Sequence, residues 1–264
     1  MKKEVDPKTT NRAMAFELWM QSPMPMVTLV KTFDVSRLVR ISRRHKLKFN
    51  MLMCWCIARA ASSIQEFYLL PVDGKLMQYD SLAVDVIVQN KNGGLNYCDI
   101  PFDNDFAQFR DAYDCMTAKA VAECTDLSDD DRAVVGTSVV IATELDTIVN
   151  QWSGRFANPF LAWAKYRRGF FKTTLPISFQ FHHTQMDGGE AAQFLNALQK
   201  EIDRDIITYS CYYCQDMNRD NDISYFVAFC IEQYKNAKGI SGDEAASLLF
   251  SSGVASYLAD NFEQ

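Results

Sequence analysis

The sequence predicts an α/β domain followed by a small helical appendage. Three observations carry this. Two-residue apolar alternation marks strands: Val84, Val86 and Val88 in Leu82–Gln89, and Ile177, Phe179 and Phe181 against Ser178, Gln180 and His182. Helical spacing intervenes, in Phe106, Phe109, Tyr113, Met116 and Ala120 and again in Phe194, Leu195, Leu198, Ile202 and Ile206. After Ile206 the composition shifts, and only helical spacing continues.

Composition bounds the rest. A chain of 264 residues suits one large domain or a domain with an appendage, and 48% hydrophobic with 12% aromatic residues is ample for a packed core. A net charge of −6 argues against a nucleic-acid partner, yet a local lysine or arginine cluster can still bind an anionic cofactor. The opening MKKEVDPKTTN carries no apolar signal run, which predicts a cytoplasmic protein whose eight cysteines stay reduced. Cys54 and Cys56 read as small core residues. Cys211 and Cys214 form a single CxxC without the two further ligands zinc needs, so no metal site is expected. No apolar run is long enough to span a membrane, and the run 51–61 is broken by Arg59.

In chain order, residues 1–10 are polar and expected to be loose. Arg12–Trp19 suits a short helix and Met24–Phe33 a strand. Asp34-Val35-Ser36 starts a helix with Leu38 and Ile41 facing in and Arg37, Arg40, Arg43 and Arg44 facing out, a pattern usual for a solvated face. Phe49–Phe67 reads as one long buried helix. Lys75–Gln78 and Leu82–Gln89 are strands, the turn Asn92-Gly93-Gly94 follows, and Leu95–Ile100 is again extended. Asp105–Cys124 is a helix, Val134–Thr143 a strand, and Phe156–Tyr166 leads toward the strand Leu175–His183. Tyr209–Asp222 is a polar and aromatic connector. Ile223–Asn236 is helical with Gly239 as C-cap, Ser241 with Glu244 caps a helix through Phe250, and Gly253–Phe262 completes a third.

The chemistry concentrates where Leu175–His183 meets the helix after it. Two of the chain's three histidines, His182 and His183, end the strand, and Asp187-Gly188-Gly189 opens the helix. A histidine at such a corner can project into a cleft. The plainer reading is a capping box of Asp187 with Glu190, and a strand histidine facing its neighbours.

His183-x-x-x-Asp187-Gly188, led by the Leu-Pro strand and followed by the Phe194-Leu195-x-x-Leu198-Gln199 helix, resembles the catalytic segment of chloramphenicol acetyltransferases. Pro159–Tyr166 stands at that family's spacing, and Lys48-Phe49, Glu66-Phe67, Asp73-Gly74 and Asp80-Ser81 recur in its order. Asn11-Arg12 and Phe16 match its Trp-x-Arg-x-x-x-Phe entry without the tryptophan. The likeness covers roughly residues 8 to 208, and residues 223–264 resemble a small helical bacterial family of unknown function.

The resemblance implies a two-layer fold, a mixed β-sheet packed with helices, in residues 1–208, a linker 209–222 and a small all-α appendage 223–264. It implies direct acetyl transfer from acetyl-CoA to a hydroxyl of a small molecule, chloramphenicol or a similar alcohol, without an acyl-enzyme or a metal. With chloramphenicol as acceptor, antibiotic resistance would be the role. His183 would be the general base, and a neutral imidazole suits the task. Asp187, paired with Arg12, would hold the corner in shape. Departures gather on the acceptor side. The family's oxyanion serine falls near Thr143 or Ala142, its threonine appears as Ala162, and an acceptor-pocket tyrosine becomes Trp19. Lys165 and Tyr166 match a segment that meets coenzyme A, with an ordinary surface lysine as the alternative. The family assembles as homotrimers with sites between chains. The competing reading is a weakened relative that serves as a binding or assembly module, its appendage engaging a protein partner.

Overall fold

The computed structural model describes residues 2–152, 154–204, 206 and 219–254. It divides into two compact units, Met1–Ser210 and Cys211–Gln264. Among the described residues the first holds ten strands: β1 (Lys2–Val5), β2 (Met26–Asp34), β3 (Leu69–Val72), β4 (Lys75–Tyr79), β5 (Leu82–Gln89), β6 (Leu95–Pro101), β7 (Ala133–Val140), β8 (Phe160–Ala164), β9 (Arg167–Arg168) and β10 (Thr173–His182). Its helices are α1 (Ala13–Trp19), α2 (Ser36–Arg44), α3 (Phe49–Ser62), α4 (Phe106–Glu123) and α5 (Gly188–Ile202).

The main sheet runs β2-β10-β8-β7-β5-β6, with β9 on β10. β5–β7 and β7–β8 are parallel and the other pairs antiparallel, so the sheet is mixed as the resemblance implies. Alternation assigns its faces. Ile177, Phe179 and Phe181 of β10 join Leu161 and Trp163 of β8 in one apolar core with α3 and α5. The other face of β10 is polar and is crossed by the chain after β7. Ile148 N–H donates to Ser178 Oγ at 3.0 Å, and Gln180 Nε2 donates to the Asn150 carbonyl at 2.8 Å. Gly136 of β7 lies under the Phe160 ring, where a Cβ would collide with it.

The long helix from Phe49 stops at Ser62, earlier than expected. It is buried nearly all round, as its composition foretells, but Ser62 and Ser63 hydroxyls donate back to the carbonyls of Arg59 and Ala60 and help close it. A short 3₁₀ turn, Gln65–Tyr68, follows. Residues 2–5 are a strand rather than a loose end. β1 pairs antiparallel with β4, which pairs with β3, and Lys75 bonds Glu4 at 2.7 Å. Its ladder is backbone-made and its side chains face solvent, so no apolar period announces it.

In the second unit α6 (Arg219–Lys238) packs against α7 (Gly242–Ser251), capped by the Ser241 hydroxyl accepting the Glu244 N–H. α6 begins four residues before the expected Ile223 and takes in the end of the connector. Gly239 takes positive φ at the turn between the helices, as expected of a C-cap. The expected third helix lies mainly outside the described residues, as do Cys211 and Cys214.

Asp85 and Asp99 stand opposite each other on β5 and β6. Burial, then repulsion from Asp99, pushes Asp85 up to about 7, and burial, then Asp130, pushes Asp99 up to about 6. Both groups hold protons more tightly folded than unfolded, so their contribution favours folding increasingly as pH falls from about 7 toward about 4. Asp85→Asn should therefore stabilise the protein at pH 7.5 and flatten this part of the pH dependence, read as denaturant midpoints at several pH values. An unchanged difference between variant and wild type across that range would exclude the shifted pair.

Candidate active site

β10 delivers the two histidines to different places. His182 is buried, its Nδ1 accepts the Thr184 N–H at 3.1 Å, and its ring meets Trp152 edge-on. Burial, then the neighbouring His183, lowers it to about 4, so it stays neutral at working pH. His183 is the first residue past the strand. Its own N–H is anchored to the Pro25 carbonyl at 2.8 Å, while its side chain remains 27% exposed. Of the two, only the histidine at the turn keeps part of its ring open to solvent.

Arg12, at the entry to α1, ties this corner together although it lies 175 positions from Asp187. Its guanidinium is buried and makes four bonds. Nη1 and Nη2 grip the two Asp187 oxygens at 2.8 and 3.0 Å, Nη2 also reaches the His183 carbonyl at 2.8 Å, and Nε reaches the Thr184 carbonyl at 3.0 Å. Such planar, multidentate recognition needs arginine. The hydrogen bonds from Arg12, ahead of all other causes, hold the Asp187 carboxyl below the usual carboxylate range. Asp187 also starts α5, where its N–H donates to Glu190 Oε2 at 2.9 Å in a capping box. Asp187 thus caps α5 and grips the Arg12 guanidinium at the same time.

The His183 imidazole is bracketed. Nδ1 stands 3.0 Å from Asp187 Oδ1, although not in line for a hydrogen bond, and the Trp19 indole stacks on the ring at 4.4 Å with planes 6° apart. Beneath the corner, Gln185 Nε2 donates to the Glu66 carbonyl and Asn11 Nδ2 to the Glu66 carboxylate. Gln185 and Glu66 are supports that residue type alone did not single out.

The remaining expected residues gather elsewhere. Lys165 N–H donates to the Thr143 carbonyl at 3.0 Å, and the Tyr166 ring lies 5.2 Å from that of Phe49. With Ile177 paired to Trp163, Lys165 is level with Leu175, so His183 lies about 26 Å further along β10. Thr143 is exposed and its hydroxyl donates to the Glu144 carbonyl, far from the same chain's His183. One hydroxyl escaped the sequence reading. Ser138 of β7 pairs with Ala162, which pairs with Ser178, all on the polar face. The Ser138 hydroxyl makes no hydrogen bond among the described residues, whereas the Ser178 hydroxyl is engaged by residues 147 and 148. Only register reveals that Ser138 lies beside Ala162.

The sequence model of the family described as chloramphenicol acetyltransferase matches residues 2–199. The chain belongs to the chloramphenicol acetyltransferase family. It is therefore of acyltransferase type. Chloramphenicol acetyltransferase 2 of Escherichia coli is 25% identical over 205 residues, covering 75% of this chain and 96% of that protein. The Bacillus pumilus chloramphenicol acetyltransferase is 24% identical over 179 residues, covering 65% and 80%. A solved chloramphenicol acetyltransferase superposes with a TM-score of 0.67 at 18% identity, over 76% of this chain and all of that one. The truncated catalytic core of the 2-oxoacid dehydrogenase multienzyme complex from Thermoplasma acidophilum gives 0.57 at 14% identity, over 76% and 97%. These superpositions establish the fold. Residues 225–264 match a second family, described as a protein of unknown function, DUF3791. Among the described residues no helix is long and apolar enough to cross a membrane, and no group of three or more side chains suits a metal ion.

Proposed function

We propose that the protein transfers an acetyl group from acetyl-CoA directly to a hydroxyl of a small molecule, with His183 as general base. The observation that carries this reading is the Arg12–Asp187–His183 corner: a buried guanidinium grips the Asp187 carboxylate and the His183 backbone carbonyl, and that carboxylate stands beside the partly exposed imidazole. With Nδ1 facing the Asp187 carboxylate and Trp19 stacked on the ring, Nε2 is the nitrogen we assign to the acceptor hydroxyl. Nε2 takes the proton as the alcohol oxygen attacks the thioester carbonyl, and the coenzyme thiolate leaves as the tetrahedral intermediate collapses. Trp19 walls the acceptor side, and Lys165 and Tyr166 engage the coenzyme. Chloramphenicol itself is one candidate acceptor; the absence of a hydroxyl at Ala162 favours a different alcohol.

Residues 1–208 act as the catalytic domain, 209–222 as a linker and 223–264 as a separate helical domain available to a protein partner. The chain works in the cytoplasm as a homotrimer, in which His183 of one chain meets the sheet face of its neighbour. The in-chain spacing supports this, since Ser138 lies about 20 Å from its own His183, too far to serve it. For the oxyanion donor we take Ser138 ahead of Thr143, because Ser138 is the unengaged hydroxyl beside Ala162. Ser138→Ala should lower kcat about a hundredfold with little change in KM, and Thr143→Ala should leave both unchanged. The reverse pattern in steady-state kinetics would return the role to Thr143.

The direct test follows free thiol released from acetyl-CoA, with chloramphenicol and with a panel of alcohols. Acceptor-dependent release supports the reading. If acetyl-CoA neither binds nor turns over with any acceptor, the enzyme reading fails and a binding module takes its place.

A further inference from the structure

We infer that the turn joining β9 to β10 is a docking tip for the surface of a bilayer bearing anionic lipids. Gly169 N–H donates to the Lys172 carbonyl at 2.8 Å, which closes a turn with Phe170 and Phe171 at its two central positions. Those positions ordinarily fall to Gly, Asn, Asp, Pro or Ser. Neither phenylalanine packs into the core: they are 82% and 90% exposed. They lean edge-on against each other with centroids 4.7 Å apart and form one projecting apolar knob.

The knob is framed by charge. Exposed Arg168 precedes it and exposed Lys172 follows it. The same turn is bolted to the start of α2: Val35 N–H donates to the Thr173 carbonyl and Thr173 N–H to Ser36 Oγ, each at 2.8 Å. α2 turns Arg40 and Arg43 outward. An apolar tip and a basic helix face thus share one rigid frame on a chain whose net charge is −6. Charge complementarity selects an anionic partner. A projecting knob with dispersed cations around it matches a soft apolar layer beneath a plane of phosphates, the arrangement at which aromatic tips and arginines cooperate. In the homotrimer proposed above, three-fold symmetry sets all three tips at one height along the axis, so a single plane can meet them together.

The test is flotation of the full-length protein with vesicles of phosphatidylcholine, alone or mixed with phosphatidylserine. We expect binding to the mixed vesicles only, weakening as salt rises. Phe170→Ser with Phe171→Ser should cost at least about tenfold in partitioning. Arg40→Glu with Arg43→Glu should cost about fivefold or more per position. No binding to the mixed vesicles, or binding indifferent to the phenylalanines, overturns the inference. So does loss of oligomer mass in the phenylalanine variant, which would make the tip a subunit contact. Preferential capture of single-stranded RNA through the same residues would overturn it as well. Thermal melting of each variant verifies that it folds.

Discussion

His183→Ala should fold and bind coenzyme normally yet transfer acetyl groups about a hundred- to ten-thousand-fold more slowly than the wild type. The side chain is partly exposed and makes no hydrogen bond that the fold depends on, since the Arg12 contact is to its backbone carbonyl and the Pro25 contact to its N–H. Truncation therefore removes the proposed base and spares the Arg12 contacts. His182 provides the control. Buried and held at about 4, it has no route to an acceptor proton, and its replacement should act through stability. Single-turnover rates and urea midpoints for both variants separate the two effects. A His183→Ala enzyme with wild-type turnover would remove the residue from the mechanism.

Arg12→Lys should be nearly as damaging, by a different route. A lysine offers one ammonium where the guanidinium serves two carboxylate oxygens and two backbone carbonyls at once. The carbonyls of residues 183 and 184 would lose their donors inside a buried corner. We expect a loss of about 2–4 kcal/mol in stability, with activity falling further because the imidazole loses its frame. Asp187 is half-exposed, which keeps the estimate below that for a fully buried pair. The pH dependence has a definite sign. The Asp187 carboxyl is depressed on folding, so its contribution is present at neutral pH and is lost as pH falls below the ordinary carboxylate range. Thermal denaturation against pH for wild type and Arg12→Lys measures this. Equal stability across that range would mean the corner does not depend on the pair.

Much of this architecture was readable without coordinates. The alternation in β5 and β10 announced strands and their faces, because side chains in an extended backbone must point to opposite sides in turn. The apolar run after Phe49 announced a buried helix, and Asp187 with Glu190 announced the start of α5, both being matters of neighbours in the chain. The resemblance extended this reach to Arg12. Three features stayed hidden. β1 is held by backbone bonds that leave no apolar period. The carboxylates Asp85 and Asp99 become a pair only when β5 and β6 meet in register. Ser138 becomes a candidate donor only when β7 is laid beside Ala162.

By itself, the sequence determined the mixed helix and strand content, the polar corner at residues 182–189 and the family. Tertiary structure alone decided that Trp19 stacks on His183 and that Arg12 reaches two carbonyls as well as a carboxylate. It also set Thr143 and Lys165 at the far end of β10 from the histidine. Periodicity is a property of the local backbone and survives in one dimension. Register and burial depend on segments far apart in the chain, and the energy that selects them is spent only when the whole core closes.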